Sequence, residues 1–363
     1  MPVVVRFEAP RRVAVAQVPR AALAPGQVRI RTLYSGISAG TELTAYRGTN
    51  PYLLSEWDDS MRLFHPRGGG DDAIGYPLEG WGYSEVGQVV EVASDGLTST
   101  PRVGDVVFGI WGHRSEGILD ARVAAAQVLP PDTPHEVGCF ARVGSVALNA
   151  VLAAQCGIGS TVAVLGQGVI GLLATAFAVR SGARVIAVDD VRTRRSQAAA
   201  YGAHETLAPT DGVADQVREL TAGRGADAVI ELSGTYTALH EATRIAGPDG
   251  RVVAAGFYQG PATALRLGEE FHHNRVSIVA SQIGSVPQHL HARWTRERLV
   301  EAVMTELVAR RPDVLSLVTH RFDATDVADA FAMLDTDPSA ALQVLLQFPS
   351  NADDGPTSVA AAS

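Results

Sequence analysis

The stretch that decides the fold is Thr161–Gly171, "TVAVLGQGVIG". An apolar run reading as a buried strand leads into Gly166, Gly168 and Gly171, and Val169–Ser181, apolar nearly all round, then reads as a helix packed against a sheet. G-x-G-x-x-G by itself is a weak signal, but between a strand and a helix it is a strong one. Gly166 serves a tight turn, Gly168 a close approach of backbone to a pyrophosphate, and Gly171 the packing of helix on strand. Val169 and Ile170 open that helix, whose N-terminus offers free N–H groups and a positive dipole end. The next strand, "VIAVD", closes on Asp189, 23 positions after Gly166. A carboxylate there accepts hydrogen bonds from adenosine ribose hydroxyls and repels a 2′-phosphate. NAD(H) is the expected cofactor, although Arg192, Arg194 and Arg195 follow and would suit that phosphate.

Working outward, strands expected at Thr161–Leu165, Arg184–Asp189, Ala226–Leu232, Gly250–Gly256 and Val276–Gln282 alternate with helices at Val169–Ser181, Arg192–Tyr201, Val213–Thr221 and Ala238–Ile245. That alternation implies an α/β unit with a doubly wound parallel sheet. Ser233, Gly234 and Gly256, at the carboxyl ends of its strands, join the cofactor-contact candidates. Upstream, Val3–Glu8, Val13–Val18, Gln27–Leu33, Glu85–Ala93 and Asp105–Ile110 read as strands of a β-rich unit. Thr49–Gly75 is polar, Gly-rich and aromatic: either a lid over a substrate pocket or a surface insertion. A helix at Arg296–Arg310 and a strand at Ala341–Phe348 follow the α/β unit, and Pro349–Ser363 reads as a disordered tail.

A chain of 363 residues fits two domains. A formal net charge of −9 argues against nucleic acid or an anionic membrane as partner. No stretch reads as long and apolar enough to span a bilayer, so a cytoplasmic protein is expected. Two cysteines exclude a disulfide framework and a four-cysteine zinc lobe. All 30 basic residues are arginine, which excludes lysine Schiff bases and lysine general bases.

"GISAGTE", "GYSEVGQVVEV", "VGDVVFG", "GQGVIG" with "VIAVD", and "GADAVIELSG", in that order over Val3–Phe348, resemble the medium-chain dehydrogenase/reductase superfamily. The resemblance implies a GroES-like β-rich catalytic domain at 1–138 and 283–349, a Rossmann domain at 139–282, a tail at 350–363, and a homodimer. Zinc members hold their metal with a Cys, a His and a third ligand. Here the first slot falls on Ser38 or Ala39, the second on Tyr83 with Ser84 after it, and the third on Arg142, three residues past Cys139. None of these suits zinc, so no metal is expected. "YSGISAGTE", Tyr83 and "HHNRVSIVASQIG" look most like the zinc-lacking branch that includes bacteriochlorophyllide a dehydrogenase-like proteins. That likeness implies NAD-dependent interconversion of a secondary alcohol and a ketone on a small cyclic biosynthetic substrate.

Without metal, hydride transfer needs a proton carrier and a group that holds the reacting oxygen. Thr41 sits where the family keeps a proton-relay hydroxyl, with Ser38 close by, while Thr44 replaces the relay histidine. Tyr83 either handles the oxygen, aided by Arg142 lowering its pKa, or fills the space left by zinc. His113, on a Gly-flanked loop, is the candidate general base among ten histidines. Glu42 is expected in a structural ion pair, and His272 and His273 on the surface. The competing readings are an NADPH-dependent enone or quinone reductase, a redox-neutral epimerase or cyclase with resident NAD, and a non-catalytic nucleotide-binding protein.

Overall fold

The computed structural model describes residues 1–68, 75–93, 101–210 and 212–348. Six parallel strands run in the order Glu205–Leu207, Arg184–Val188, Thr161–Leu165, Ala226–Glu231, Ala246–Ala254, Ser277–Ala280. Numbered from Thr161–Leu165 this is the doubly wound order 3-2-1-4-5-6, whose direction reverses between Thr161–Leu165 and Ala226–Glu231. All five residues of Thr161–Leu165 are buried, as the central strand of a sheet covered on both faces requires. The helix Val169–Arg180 buries an unbroken run from Gly171 to Ala178. Its Leu172, Leu173 and Phe177 share a core with Val162, Val164 and Val185, each large side chain contributing about 1.5–3 kcal/mol.

A second sheet is organised by the strand Gln27–Ile37, which pairs antiparallel with Glu85–Val92, Glu116–Asp120 and Gln343–Gln347. The last of these brings the chain back to the β-rich unit after the α/β sheet is complete. The pairing has a local consequence: Ser35 stands opposite both Glu85 and Leu346. Four residues later than the alternating run suggested, the strand stops at Ile37, and the helix Ala39–Arg47 begins at once. "SGISAGTEL" is thus a strand end and a helix start rather than a loop. The Glu42 carboxylate explains the helix start, because its Oε1 accepts the Ser38 N–H at 2.9 Å.

Thr49–Gly75, expected as a long loop, holds a hairpin of Ser55–Asp58 and Leu63–Pro66; residues 69–74 lie outside the described residues, as does the tail from 349. Asp58 Oδ1 accepts the N–H groups of Ser60 and Met61 at 2.8 and 2.9 Å, an Asx turn that closes the hairpin. Tyr52, Trp57 and Phe64 cluster on it, with centroids 4.9–5.4 Å from the Phe64 ring, and are partly exposed. None of these rings lines either cavity considered below.

His135–Ala154 corrects the expectation that no segment could cross a bilayer. By length and composition this 20-residue run qualifies, but 78% of its most apolar window is buried inside the protein. Its apolar residues, among them Phe140, Val143, Ala147 and Val151, are spent on the central core.

Candidate active site

The turn between Leu165 and Val169 has the geometry the glycines imply. Gly166 adopts φ +85°, and a Cβ there would lie 2.7 Å from the Ser233 amide nitrogen across the switch point. A Cβ on Gly171 would lie 1.8 Å from the Gly166 carbonyl oxygen, so helix and turn meet with no room for a side chain. Gly168 faces open space, and the helix behind it has no side-chain cap. The N–H groups at Val169 and Ile170 are therefore left for an external anion.

A cavity of about 640 Å³ begins here, lined by Gly166, Asp189, Ser233 and Thr235 among others. Asp189 Oδ2 accepts the Gln167 N–H at 2.6 Å and Oδ1 the Val191 N–H at 2.8 Å. Each oxygen keeps a lone pair for a ribose hydroxyl. Burial lifts this carboxyl above its ordinary pKa, with the two N–H donors acting against the lift. Of the three following arginines, Arg194 donates to the carbonyls of Pro338 and Ala341, and Arg195 to those of Asp189 and Asp190. Arg192 is exposed on the next helix. Gly234 and Gly256 touch each other at the neighbouring strand ends, where a Cβ on Gly256 would lie 2.5 Å from Gly234.

The second group of candidates divides in two. Ser38, Thr41 and Tyr83 come together: the Tyr83 phenol hydrogen-bonds Ser38 Oγ and reaches Thr41 Oγ1 at 3.5 Å. Burial raises the phenol pKa; the hydroxyl contacts and the Arg142 charge lower it but do not prevail. The expectation that Arg142 would leave Tyr83 acidified is thus reversed, because desolvation of the phenolate is the larger effect. Thr44 turns inward to its own helix, donating to the Thr41 carbonyl and accepting from Asn50 Nδ2.

His113, the candidate general base on its Gly-flanked loop, is elsewhere, apart from the Tyr83 cluster. It is fully buried, with Nε2 2.6 Å from Glu42 Oε2 and Nδ1 2.6 Å from Ser35 Oγ. Ser35 Oγ also meets Glu85 Oε1 at 2.9 Å, and Glu85 Oε2 accepts the Trp111 N–H at 2.9 Å. Burial lowers the imidazole pKa, but Glu42 and Glu85 outweigh it and the net shift is upward. Glu85 is itself raised, chiefly by burial. The group therefore forms the chain Glu42–His113–Ser35–Glu85 and meets the site where Glu42 Oε1 accepts the Ser38 N–H and Glu85 Oε1 accepts the Ser84 N–H at 3.2 Å. Glu42 has the structural ion-pair partner expected of it, and His272 and His273 are exposed as expected.

Zinc is the ion the resemblance would place at Ser38, Tyr83 and Arg142, and this donor set does not fit it. Ser38 and Tyr83 offer hydroxyls already bonded to each other, and the third position carries a guanidinium whose charge acts on the Tyr83 phenol. Cys139 cannot substitute, since it is fully buried and burial holds its thiol pKa well above normal. Among the described residues the one gathering of His and carboxylate groups is His240, Glu269 and Glu270. Arg266 nitrogens lie 3.0 and 3.2 Å from His240 Nε2, where they would repel a cation.

Sequence reasoning missed Ser35, Glu85, Gln167 and Glu231. Gln167 is buried and bridges Val164 and Thr175 as well as Asp189. Glu231 accepts the Ser233 and Gly234 N–H groups and the Tyr258 hydroxyl, fixing the switch-point loop. A lone carboxylate closing the apolar run "AVIE" was a signal for it.

Known proteins share this pairing of a doubly wound sheet with a β-rich unit. A family model described as zinc-binding dehydrogenase matches residues 169–299, a span that excludes Ser38, Tyr83 and Arg142. The chain is 29% identical over 347 residues to D-guloside 3-dehydrogenase of Shigella flexneri, covering 94% of this chain and 95% of that protein. It superposes on 2R,3R-butanediol dehydrogenase from Bacillus subtilis with TM-score 0.75 at 21% identity, over 96% and 100% of the two chains. The alcohol dehydrogenase of Escherichia coli CFT073 complexed with NADH gives TM-score 0.74 at 21% identity, over 96% and 99%. Together these matches support the medium-chain dehydrogenase/reductase superfamily for this chain.

Proposed function

We propose that this chain is a zinc-independent, NAD(H)-dependent oxidoreductase that interconverts a secondary alcohol and a ketone, with residues 139–282 holding the cofactor and 1–138 with 283–349 the substrate. The observation that carries the reading is the Tyr83–Ser38–Thr41 hydroxyl cluster, which joins two residues that align with the family's metal-ligand slots to the one that aligns with its relay hydroxyl. The dehydrogenase relatives support the reaction class, and D-guloside 3-dehydrogenase supports a hydroxylated ring as substrate.

NAD, when bound, supplies the hydride acceptor. The chain's own residues then have separable tasks. Asp189 accepts the ribose hydroxyls, while the helix N-terminus at Val169 and Ile170 faces the pyrophosphate. A phenol raised in pKa by burial stays protonated at neutral pH, which suits Tyr83 to donate to a ketone oxygen as hydride arrives at the carbon. In the reverse direction the alcohol donates its proton into the Tyr83–Ser38 hydroxyl pair, which releases one of its own to water in the same relay, with Thr41 the adjoining hydroxyl.

Two measurements check the cofactor and the metal. NADH should quench intrinsic fluorescence at lower concentration than NADPH, and Asp189→Ser should narrow the preference about tenfold, since a ribose hydrogen-bond acceptor and a phosphate-repelling charge are both lost. Tighter binding of NADPH by the unmodified protein would defeat the NAD assignment. Elemental analysis should find well under one zinc per chain, and a chelator should leave turnover intact. Stoichiometric zinc with chelator-sensitive activity would overturn the metal-free reading.

A further inference from the structure

A larger cavity, about 850 Å³, adjoins the Tyr83 cluster. Ser84, next in the chain to Tyr83, lies in its wall, as does Arg142, the cation that acts on the Tyr83 phenol. The cavity is mostly apolar, with Ile110, Val123, Val128, Val300, Met304 and Val308 around it. Its volume falls in the upper part of the range for drug-sized ligands, about 300–1,000 Å³. Some polar atoms of its wall lack partners. Ser84 is 3% exposed and its Oγ has no hydrogen-bond partner, and Gln127 Oε1 has none either. Arg142 has no partner among the described residues. The other charged groups in the wall, Arg296, Glu297 and Glu301, all come from the single helix Arg296–Val308. That side is mixed in charge, while Arg142 is the sole charge contributed by Ala141–Ala154.

We infer that this cavity receives the body of the substrate: an alcohol or ketone joined to an apolar group of ring size or larger, with an acceptor oxygen directed at Arg142. The inference rests on the proposed redox reading and makes its substrate bulkier than the small molecule expected from sequence. A small polyol would leave the apolar walls against water. A substrate with an apolar body covers the walls, and its oxygen atoms supply the missing partners for Ser84 and Arg142. Ser84, next to Tyr83 in the chain, and Arg142, whose charge acts on the Tyr83 phenol, tie this wall to the redox cluster and favour the substrate as occupant over a protein side chain docking from outside.

The test uses 8-anilinonaphthalene-1-sulfonate, an aromatic body with an anion, titrated by fluorescence with NAD present to fill the dinucleotide cavity. Ala126→Trp and Ile110→Trp place indoles in the cavity from two exposed positions. Each should weaken the probe about tenfold or more, with NADH affinity unchanged as the check on folding. 4-Phenylcyclohexanol should displace the probe and cyclohexanol at equal concentration should not. Unaltered probe affinity in both folded variants, or equal displacement by the two alcohols, would overturn the inference. Where both alcohols are oxidised, Ala126→Trp should lower kcat/KM for the phenyl compound about tenfold more than for cyclohexanol; an equal loss on both also overturns it. Failure of NAD to oxidise either alcohol counts against the redox reading alone, because the binding comparison decides the cavity without turnover.

Discussion

His113→Leu is expected to destabilise the protein by about 3–5 kcal/mol, the usual cost of removing one partner of a buried ion pair. The substitution leaves Glu42 and Glu85, both fully buried, without the imidazolium between them. Urea or thermal unfolding measures the loss. Glu42→Leu in the same chain should recover part of it, because removing both partners eliminates an uncompensated buried charge. Stability equal to the unmodified protein would show that His113 is neutral and that its bond to Glu42 contributes little.

The same network gives a pH dependence of definite sign. Folding raises the pKa of His113, so the native state holds that proton more tightly than the unfolded chain. The stabilisation is fully present below the unfolded histidine pKa, about 6.5, and is lost as pH rises through the higher folded value. Glu85 shifts the same way, so its contribution also declines with rising pH. Melting temperature should therefore fall above about pH 6.5, and His113→Leu should flatten that fall. Parallel curves for the two proteins would exclude His113 as its source.

How far the sequence could be read depended on where each residue's partners lie along it. Gly166 and Gly171 were legible because backbone geometry within a few residues dictates them: one needs a positive φ, the other meets a carbonyl in the preceding turn. Asp189 was legible because the distance from glycine turn to second strand end is fixed by one helix and two strands. The surroundings of His113 were not legible, for the opposite reason. Its partners Ser35 and Glu42 lie 78 and 71 residues away, and only the pairing of Gln27–Ile37 with Glu85–Val92 brings Ser35 to Glu85. Nothing local to "IWGHRSEG" distinguishes a buried imidazole from an exposed one. Tyr83 and Arg142 show a third case, in which the motif located the residues but the balance of burial against charge on the phenol required the packed structure.

Tyr83→Phe is the substitution on which the chemistry turns. Phenylalanine keeps the ring and removes only the hydroxyl bonded to Ser38. If the phenol supplies the proton and holds the developing alkoxide, turnover should fall about 10²-fold or more, since both a proton path and a transition-state hydrogen bond are lost. NADH affinity should hardly change, because the phenol belongs to the β-rich unit while Gly166 and Asp189 line a separate cavity. A fall in kcat and kcat/KM together would mark an interaction made in the transition state; a change in KM alone would mark ordinary binding. Turnover within a few-fold of the unmodified enzyme would remove Tyr83 from the mechanism. Ser38 and Thr41, the two hydroxyls that touch it, would then be the residues left to carry the proton, and His113, sealed beneath them behind Glu42, would not.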